Sequence, residues 1–426
     1  MYFTNLPKIL KLAADPAMLR FIFKLHQFYS EDRAYSPLRF LKSMINMSQS
    51  EKIQCFEGKY ILTSFLPPMP SKAFFQLIQA TNQKYNFYSQ HMKADTSGPI
   101  SFFLSLTKRC VLNCHHCSAK GRESGKELST ASWKKIIHEI QAMGTSIIGF
   151  TGGEPLLRED LEEIISSVSS KSTTYLFTCG KGLDKPRAAS LKKAGLFAAG
   201  ISLDSAIAEE HNKCRGVKGA FEAAIEAIKN SRAAGLYTMI QTVILKKDLS
   251  KQHFFSICCL ARDLGVHEIR VLEPIKSGRF FMDSPNIFYT SQDRKKLIAL
   301  HHQANRVRGF PKISTFANTE SDNKYGCGAG IQHSYINHNG DLYPCDFVPM
   351  CFGNAEKNNL KELWDRMKKA FGKPHSGCFA LTNYSKIAEK SLSSGFPLKQ
   401  IEAEEICASC QAEDYPKYYR ILQGRE

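Results

Sequence analysis

What this chain has too little of narrows its class before any motif is read. No apolar run approaches the roughly 18–20 residues that cross a bilayer, which argues against a transmembrane helix. The opening stretch MYFTNLPKILKLAADPAML has neither a continuous apolar segment nor a small-residue cleavage site. It does not read as a secretory signal, so a location inside the cell is expected. No low-complexity tract or repeat of fixed period occurs, and the composition is that of an ordinary folded protein. The formal charge of +17 admits an anionic partner, yet the positive residues are spread along the chain and not gathered into a tail. A solvated basic surface explains them as well. No helix-turn-helix signature or aromatic-plus-basic stacking motif is found, and no nucleic-acid partner is expected.

Cysteine is what the chain does have. There are 14 in 426 residues, a length that suffices for two or three domains. Three fall within RCVLNCHHCSAKG as Cys110, Cys114 and Cys117, and six more lie from Cys327 onward. In a reducing compartment such clusters more often hold metal than form bridges.

From Pro99 the pattern becomes regular. Six apolar, β-forming runs (PISFFLSL, TSIIGFTGG, TTYLFTCG, FAAGISLDS, YTMIQTVIL and EIRVLEPI) alternate with helical stretches up to about residue 300. Ser129 is a candidate N-cap for a helix whose Trp133, Ile136, Ile137 and Ile140 share one face. Buried strands alternating with amphipathic helices imply parallel pairing, as a doubly wound sheet or an incomplete β/α barrel. The expected division is a helical extension over 1–98, the β/α core over 99–300 and a Cys-rich unit over 301–426. That last unit shows one clear helix, LKELWDRMKKAF, and little core of its own, so a metal staple is expected.

Cys110, Cys114 and Cys117 follow the first strand directly, where parallel α/β folds gather their sites. Three thiolates leave a bound cluster one open position. A zinc knuckle that borrows His115 or His116 is the competing reading. After the second strand, TGGEPLL puts two glycines where a ligand can approach the backbone, and Glu154 where it can accept from an amine.

C-x3-C-x2-C after one strand and GGEP after the next resemble the radical S-adenosylmethionine superfamily. The resemblance covers about 99–300 and implies an enzyme built on an incomplete (β/α)6 TIM-type barrel. It implies that Cys110, Cys114 and Cys117 ligate a [4Fe-4S] cluster whose fourth iron chelates S-adenosylmethionine. An electron from a donor such as flavodoxin or ferredoxin then yields a 5′-deoxyadenosyl radical that abstracts a substrate hydrogen. By the same resemblance Gly152, Gly153 and Glu154 hold the methionine amino group, and Ser202 and Asp204 the ribose hydroxyls. Arg215 lies near the methionine carboxylate and His116 near adenine; a solvated surface position is the alternative for Arg215. Where many members carry Thr-Asn-Gly, this chain has Thr178-Cys179-Gly180, which sets Cys179 near the site without making it a ligand. Cys258, in phase with Phe254, Ile257 and Ala261, reads as core.

Cys327, Gly340, Cys345 and the later Cys407-x2-Cys410 resemble the SPASM and twitch extensions of that superfamily. They imply at least one auxiliary [4Fe-4S] cluster on Cys327, Cys345, Cys407 and Cys410. The C-x2-C-x5-C-x3-C run of full SPASM domains is missing, and Cys351 and Cys378 are left over. A zinc ribbon is the alternative, since spacing does not separate zinc from iron. SPASM-type relatives imply a peptide or protein substrate first, and a lipid or other small molecule second. A non-enzymatic zinc protein that binds nucleic acid is the rival from another class. After Asp15-Pro16, a cap and first-turn pair, AMLRFIFKLHQFY puts Arg20, Lys24 and Gln27 on one narrow stripe. The wide apolar remainder is expected to dock on the protein; contact with an anionic membrane surface is the alternative.

Overall fold

A computed structural model describes residues 5–28, 36–38, 51–80, 96–122, 124–283, 285–410 and 414–422. Part of the expected extension, Tyr29 included, lies outside the described residues.

Among the described residues nine strands form one sheet in the order β11-β10-β3-β4-β5-β6-β7-β8-β9. The six expected strands are β3 (Ser101–Ser105), β4 (Ile147–Thr151), β5 (Thr173–Thr178), β6 (Ala198–Ser202), β7 (Tyr237–Val243) and β8 (Glu268–Leu272). They pair in parallel and in chain order, each to the next. The sheet also runs past residue 300. β9 (Lys312–Thr315) adds in parallel to β8, and β10 (His333–Ile336) adds in parallel to β3. β11 (Leu342–Tyr343) then folds back antiparallel on β10. The chain expected to form only the Cys-rich unit therefore supplies strands to both edges of the core sheet.

Period-two alternation sorts the strand residues. Phe102, Leu104, Ile148, Phe150, Leu176, Ile201, Ile240 and Ile269 face the surrounding helices in the main core. That layer includes the helix Thr130–Ala142, capped by Ser129, whose hydroxyl accepts from the Ser132 N–H at 3.1 Å. Cys258 sits in the same layer at 1% exposure. Tyr175, Phe177, Tyr237 and Met239 point the other way and form a separate cluster. Gly149 and Gly200 make room there: a Cβ at either would strike the ring of Phe103 or Phe177 at 2.5 and 2.8 Å.

Residues 51–80 close this inner cluster from below. Besides helices, the N-terminal unit carries a hairpin of β1 (Gln54–Phe56) and β2 (Lys59–Ile61). Phe56 stacks edge-on against Tyr237 and His267 with ring centroids 5.5 and 4.8 Å away. The helix Pro16–Phe28 is docked. Met18, Phe21, Ile22 and Leu25 pack in a small core with Tyr60, Phe74 and Leu77, while Leu19 and Phe23 stay at the surface. Asp15 fastens its start, accepting from the Ala17 N–H at 2.8 Å and the Tyr60 hydroxyl at 3.0 Å.

The C-terminal unit holds more helix than its sequence suggests, with Tyr384–Ser394 and Gln400–Ser409 joining Leu360–Phe371. The helix Gln400–Ser409 buries only Ala403, Ile406 and Cys407. So few apolar positions leave no legible periodicity.

Candidate active site and its relatives

A cavity of about 360 Å³ opens at the carboxyl ends of β3 to β8. Each strand end contributes: Ser105, Thr151, Thr178, Ser202, Val243 and Leu272 all line it. Cys110, Cys114, Cys117, His116, Gly152, Gly153, Glu154, Cys179 and Arg215 line it as well. Asp204, expected with Ser202 at the ribose hydroxyls, does not line it: it lies behind this wall, engaged by Arg215.

The two expected loops hold each other. Gly153 N–H donates to Thr107 O at 2.7 Å, and Glu154 N–H donates to Arg109 O at 2.8 Å. A side chain at Gly152, whose φ is +147°, would meet Thr107 O at 2.6 Å; one at Gly153 would overlap Arg109 O outright. Both glycines are therefore required for the GGE turn to lie against the chain that carries Cys110. Glu154 serves the same end. Its carboxylate accepts from the Thr178 hydroxyl at 2.6 Å, the Cys179 N–H at 2.7 Å and the Leu156 N–H at 3.1 Å. Burial raises this carboxyl, and those donors work against the rise.

Asp204 is engaged by Arg215. The guanidinium donates through Nη2 to Asp204 Oδ1 at 2.9 Å, and Nε lies 2.7 Å from Oδ2. Burial alone would raise the Asp204 carboxyl, but Arg215 beside it holds it at about 2. Nη1 of Arg215 remains for the cavity side, 3.8 Å from Cys114 Sγ. His116 sits between, its Nδ1 3.3 Å from Cys214 Sγ, and burial pushes it down to about 4. Its ring is neutral at pH 7.

Sequence reasoning passed over the segment that follows β8. Arg279 N–H donates to Cys117 O at 3.0 Å, and its guanidinium bonds to Asn113 Oδ1. Gly278, at φ +55°, lies so close that any Cβ would sit on Cys117 O. It also passed over Asp346, which lines the cavity with Oδ1 3.4 Å from His333 Nε2. Burial raises this carboxyl, but His333 more than offsets that and keeps it low. Its one sequence signal was its place beside Cys345.

The described cysteines sort themselves spatially. Burial raises the thiols of Cys345, Cys378 and Cys407; Cys327 adds to the rise at Cys345 and Cys378, and Cys410 to that at Cys407.

Comparison with known proteins agrees with this geometry. A model of the radical SAM superfamily matches residues 104–252, and one of an iron–sulfur cluster-binding SPASM domain matches 327–411. The chain is a radical SAM enzyme of the SPASM type. It is 28% identical over 284 residues to an AdoMet-dependent heme synthase of Oleidesulfovibrio alaskensis, covering 61% of this chain and 72% of that one. It is 26% identical over 280 residues to the PqqA peptide cyclase of Gluconobacter oxydans, 63% of this chain and 77% of that one. Streptococcus suis SuiB bound to the precursor peptide SuiA shares the fold, with TM-score 0.55 and 20% identity over 63% of this chain and 65% of SuiB. Membership brings S-adenosylmethionine, a core [4Fe-4S] cluster and auxiliary iron–sulfur clusters. It sets aside the non-enzymatic zinc protein. Among the described residues no helix is long and apolar enough to cross a membrane.

Proposed function

We propose that Cys110, Cys114 and Cys117 hold the core cluster and that S-adenosylmethionine occupies the 360 Å³ cavity onto which they open. The observation that carries this is the close lock between the three-cysteine loop and the GGE turn, which puts all three thiols and both glycines on one cavity wall. When bound, the cluster and S-adenosylmethionine supply a 5′-deoxyadenosyl radical that abstracts hydrogen from the substrate. The chain's residues bind and shield. Gly152 and Gly153 receive the methionine amino group, and Glu154 fixes their turn. Arg215 offers Nη1 to the methionine carboxylate, held in place by Asp204, which acts as a positioning residue. Ser202 faces the ribose, and the neutral His116 ring flanks the adenine.

For substrate we favour a peptide or a segment of protein, supported by the likeness to the PqqA peptide cyclase. The likeness to heme synthases supports a second reading, an anionic small molecule such as an iron porphyrin. Lys108, Lys120, Arg122 and Arg279 on the cavity wall would suit its carboxylates. After anaerobic reconstitution and reduction, the protein should cleave S-adenosylmethionine to 5′-deoxyadenosine, and Cys110→Ala/Cys114→Ala/Cys117→Ala should abolish this. Undiminished cleavage by the triple variant would refute the site. A mass change in a co-expressed short polypeptide, against one in added porphyrin, decides between the substrates.

A further inference from the structure

The resemblance to SPASM and twitch extensions joins Cys327 and Cys345 to Cys407 and Cys410, but the fold brings a different thiol to the first pair. An isolated antiparallel bridge ties Cys327 to His375: Cys327 N–H donates to His375 O at 2.7 Å, and His375 N–H to Cys327 O at 3.2 Å. Three residues on, Cys378 stands at the start of the short helix Phe379–Thr382. On the other side Gly330 N–H donates to Pro344 O at 2.8 Å, so Cys345 and Cys378 are both brought near Cys327 from separate stretches of chain.

The neighbouring donor is a carboxylate. Asp346 Oδ1 lies 3.3 Å from Cys345 Sγ, and the ligand atoms of His333, Cys345 and Asp346 all fall within 4.8 Å of one another. Cys410 is engaged elsewhere, with the Lys386 ammonium 3.4 Å from its sulfur.

We infer that the auxiliary cluster is held by the thiolates of Cys327, Cys345 and Cys378, with the Asp346 carboxylate as its remaining donor. This rests on the assignment of the chain to the SPASM-type radical SAM enzymes. Thiolates with one oxygen ligand suit an iron–sulfur cluster whose fourth iron differs from the other three. The location also has a use. Cys378 lines a second cavity of about 190 Å³, which shares Leu272, Glu273, Ile275 and Phe347 with the main one. A cluster held here borders the space offered to the substrate.

The test measures auxiliary iron alone, in full-length protein carrying Cys110→Ala/Cys114→Ala/Cys117→Ala, purified and reconstituted anaerobically. Added Cys327→Ala and added Cys378→Ala should each remove about four irons per chain, one cluster's complement, and the two together should remove no more. Added Cys407→Ala should not remove that same iron. Asp346→Asn should keep the iron but shift the electron paramagnetic resonance signal of the reduced cluster. Iron and signal left intact by Cys378→Ala, or the Cys327-dependent iron lost on Cys407→Ala, overturns the assignment. An unmoved signal in Asp346→Asn overturns the carboxylate's part.

Alkylation of the native protein guards against a variant that misfolds. Cys378 should be protected together with Cys327 and Cys345 while iron is bound, and labelled once iron is stripped. Labelling of Cys378 in the iron-loaded protein counts against the proposal. A background protein with no iron at all would overturn the auxiliary cluster itself, whereas iron that is indifferent to Cys378 overturns only the ligand set.

Discussion

At the scale of single residues, the site works by assigning each buried charge a partner and leaving one face of that pair available. Arg215 spends Nε and Nη2 on Asp204 and keeps Nη1 toward Cys114 and the cavity. Removing the carboxylate leaves a guanidinium at 8% exposure without its counter-charge. Asp204→Asn should therefore cost about 3–5 kcal/mol of stability, the range for breaking a buried pair. Denaturant unfolding of the anaerobic protein measures it. The sign of the pH dependence follows from the depressed carboxyl. Its stabilising contribution is complete above the ordinary value near 3.8 and is lost as pH falls toward about 2. Asp204→Asn should lack that acid-limb loss. If the variant unfolds at the wild-type midpoint, the pair is not holding Arg215.

Among elements, legibility in the sequence followed burial. The six strands β3 to β8 were readable because both faces are covered, so each is a nearly continuous apolar run. β9, with the sequence KIST, was not. Its Lys312 is fully buried, but what permits that burial is Glu51, some 260 positions earlier, which no local pattern can announce. Cys110, Cys114, Cys117 and the GGE turn were legible because the chemistry proposed for them fixes their spacing. Cys378 was not, since a bridge between Cys327 and His375 brings it to its neighbours. The segment after β8 is another such case. Gly278 has φ +55°, and any Cβ there would collide with Cys117 O, so the backbone itself presses on the loop of Cys110, Cys114 and Cys117. Gly278→Ala should cost about 1–2 kcal/mol for the left-handed conformation alone. It should also displace the loop, lowering core-cluster iron per chain and the visible absorbance of the purified protein. Wild-type iron retention would show that the contact is incidental.

At the scale of the whole molecule, the N-terminal unit is part of the barrel's closure. Glu51, itself 0% exposed, lies 3.2 Å from Lys312 Nζ and 3.4 Å from Lys324 Nζ. Burial would raise its carboxyl, but the two lysines more than offset that and keep it charged. Lys312 also donates to Leu62 O at 2.7 Å and Lys52 O at 3.0 Å, and Lys52 reaches Phe310 O at 2.8 Å. These links cross between the first 62 residues and the edge strand β9 with the residues just before it, so the unit and the sheet should unfold together. Glu51→Gln keeps the shape but leaves a buried ammonium without its counter-charge, a change expected to cost about 3–5 kcal/mol. Phe56→Ala, which removes a ring packed on Tyr237 and His267, should cost about 3–5 kcal/mol by a different route, lost packing. If the extension is an integral cap, both variants should lower one shared unfolding transition of the whole chain, followed by the fluorescence of Trp133 and Trp364 in the main core. A separate early transition that leaves the tryptophan signal unchanged would mean that the extension is a detachable module. The barrel would then have to be stable with Lys312 facing open solvent at its lower end.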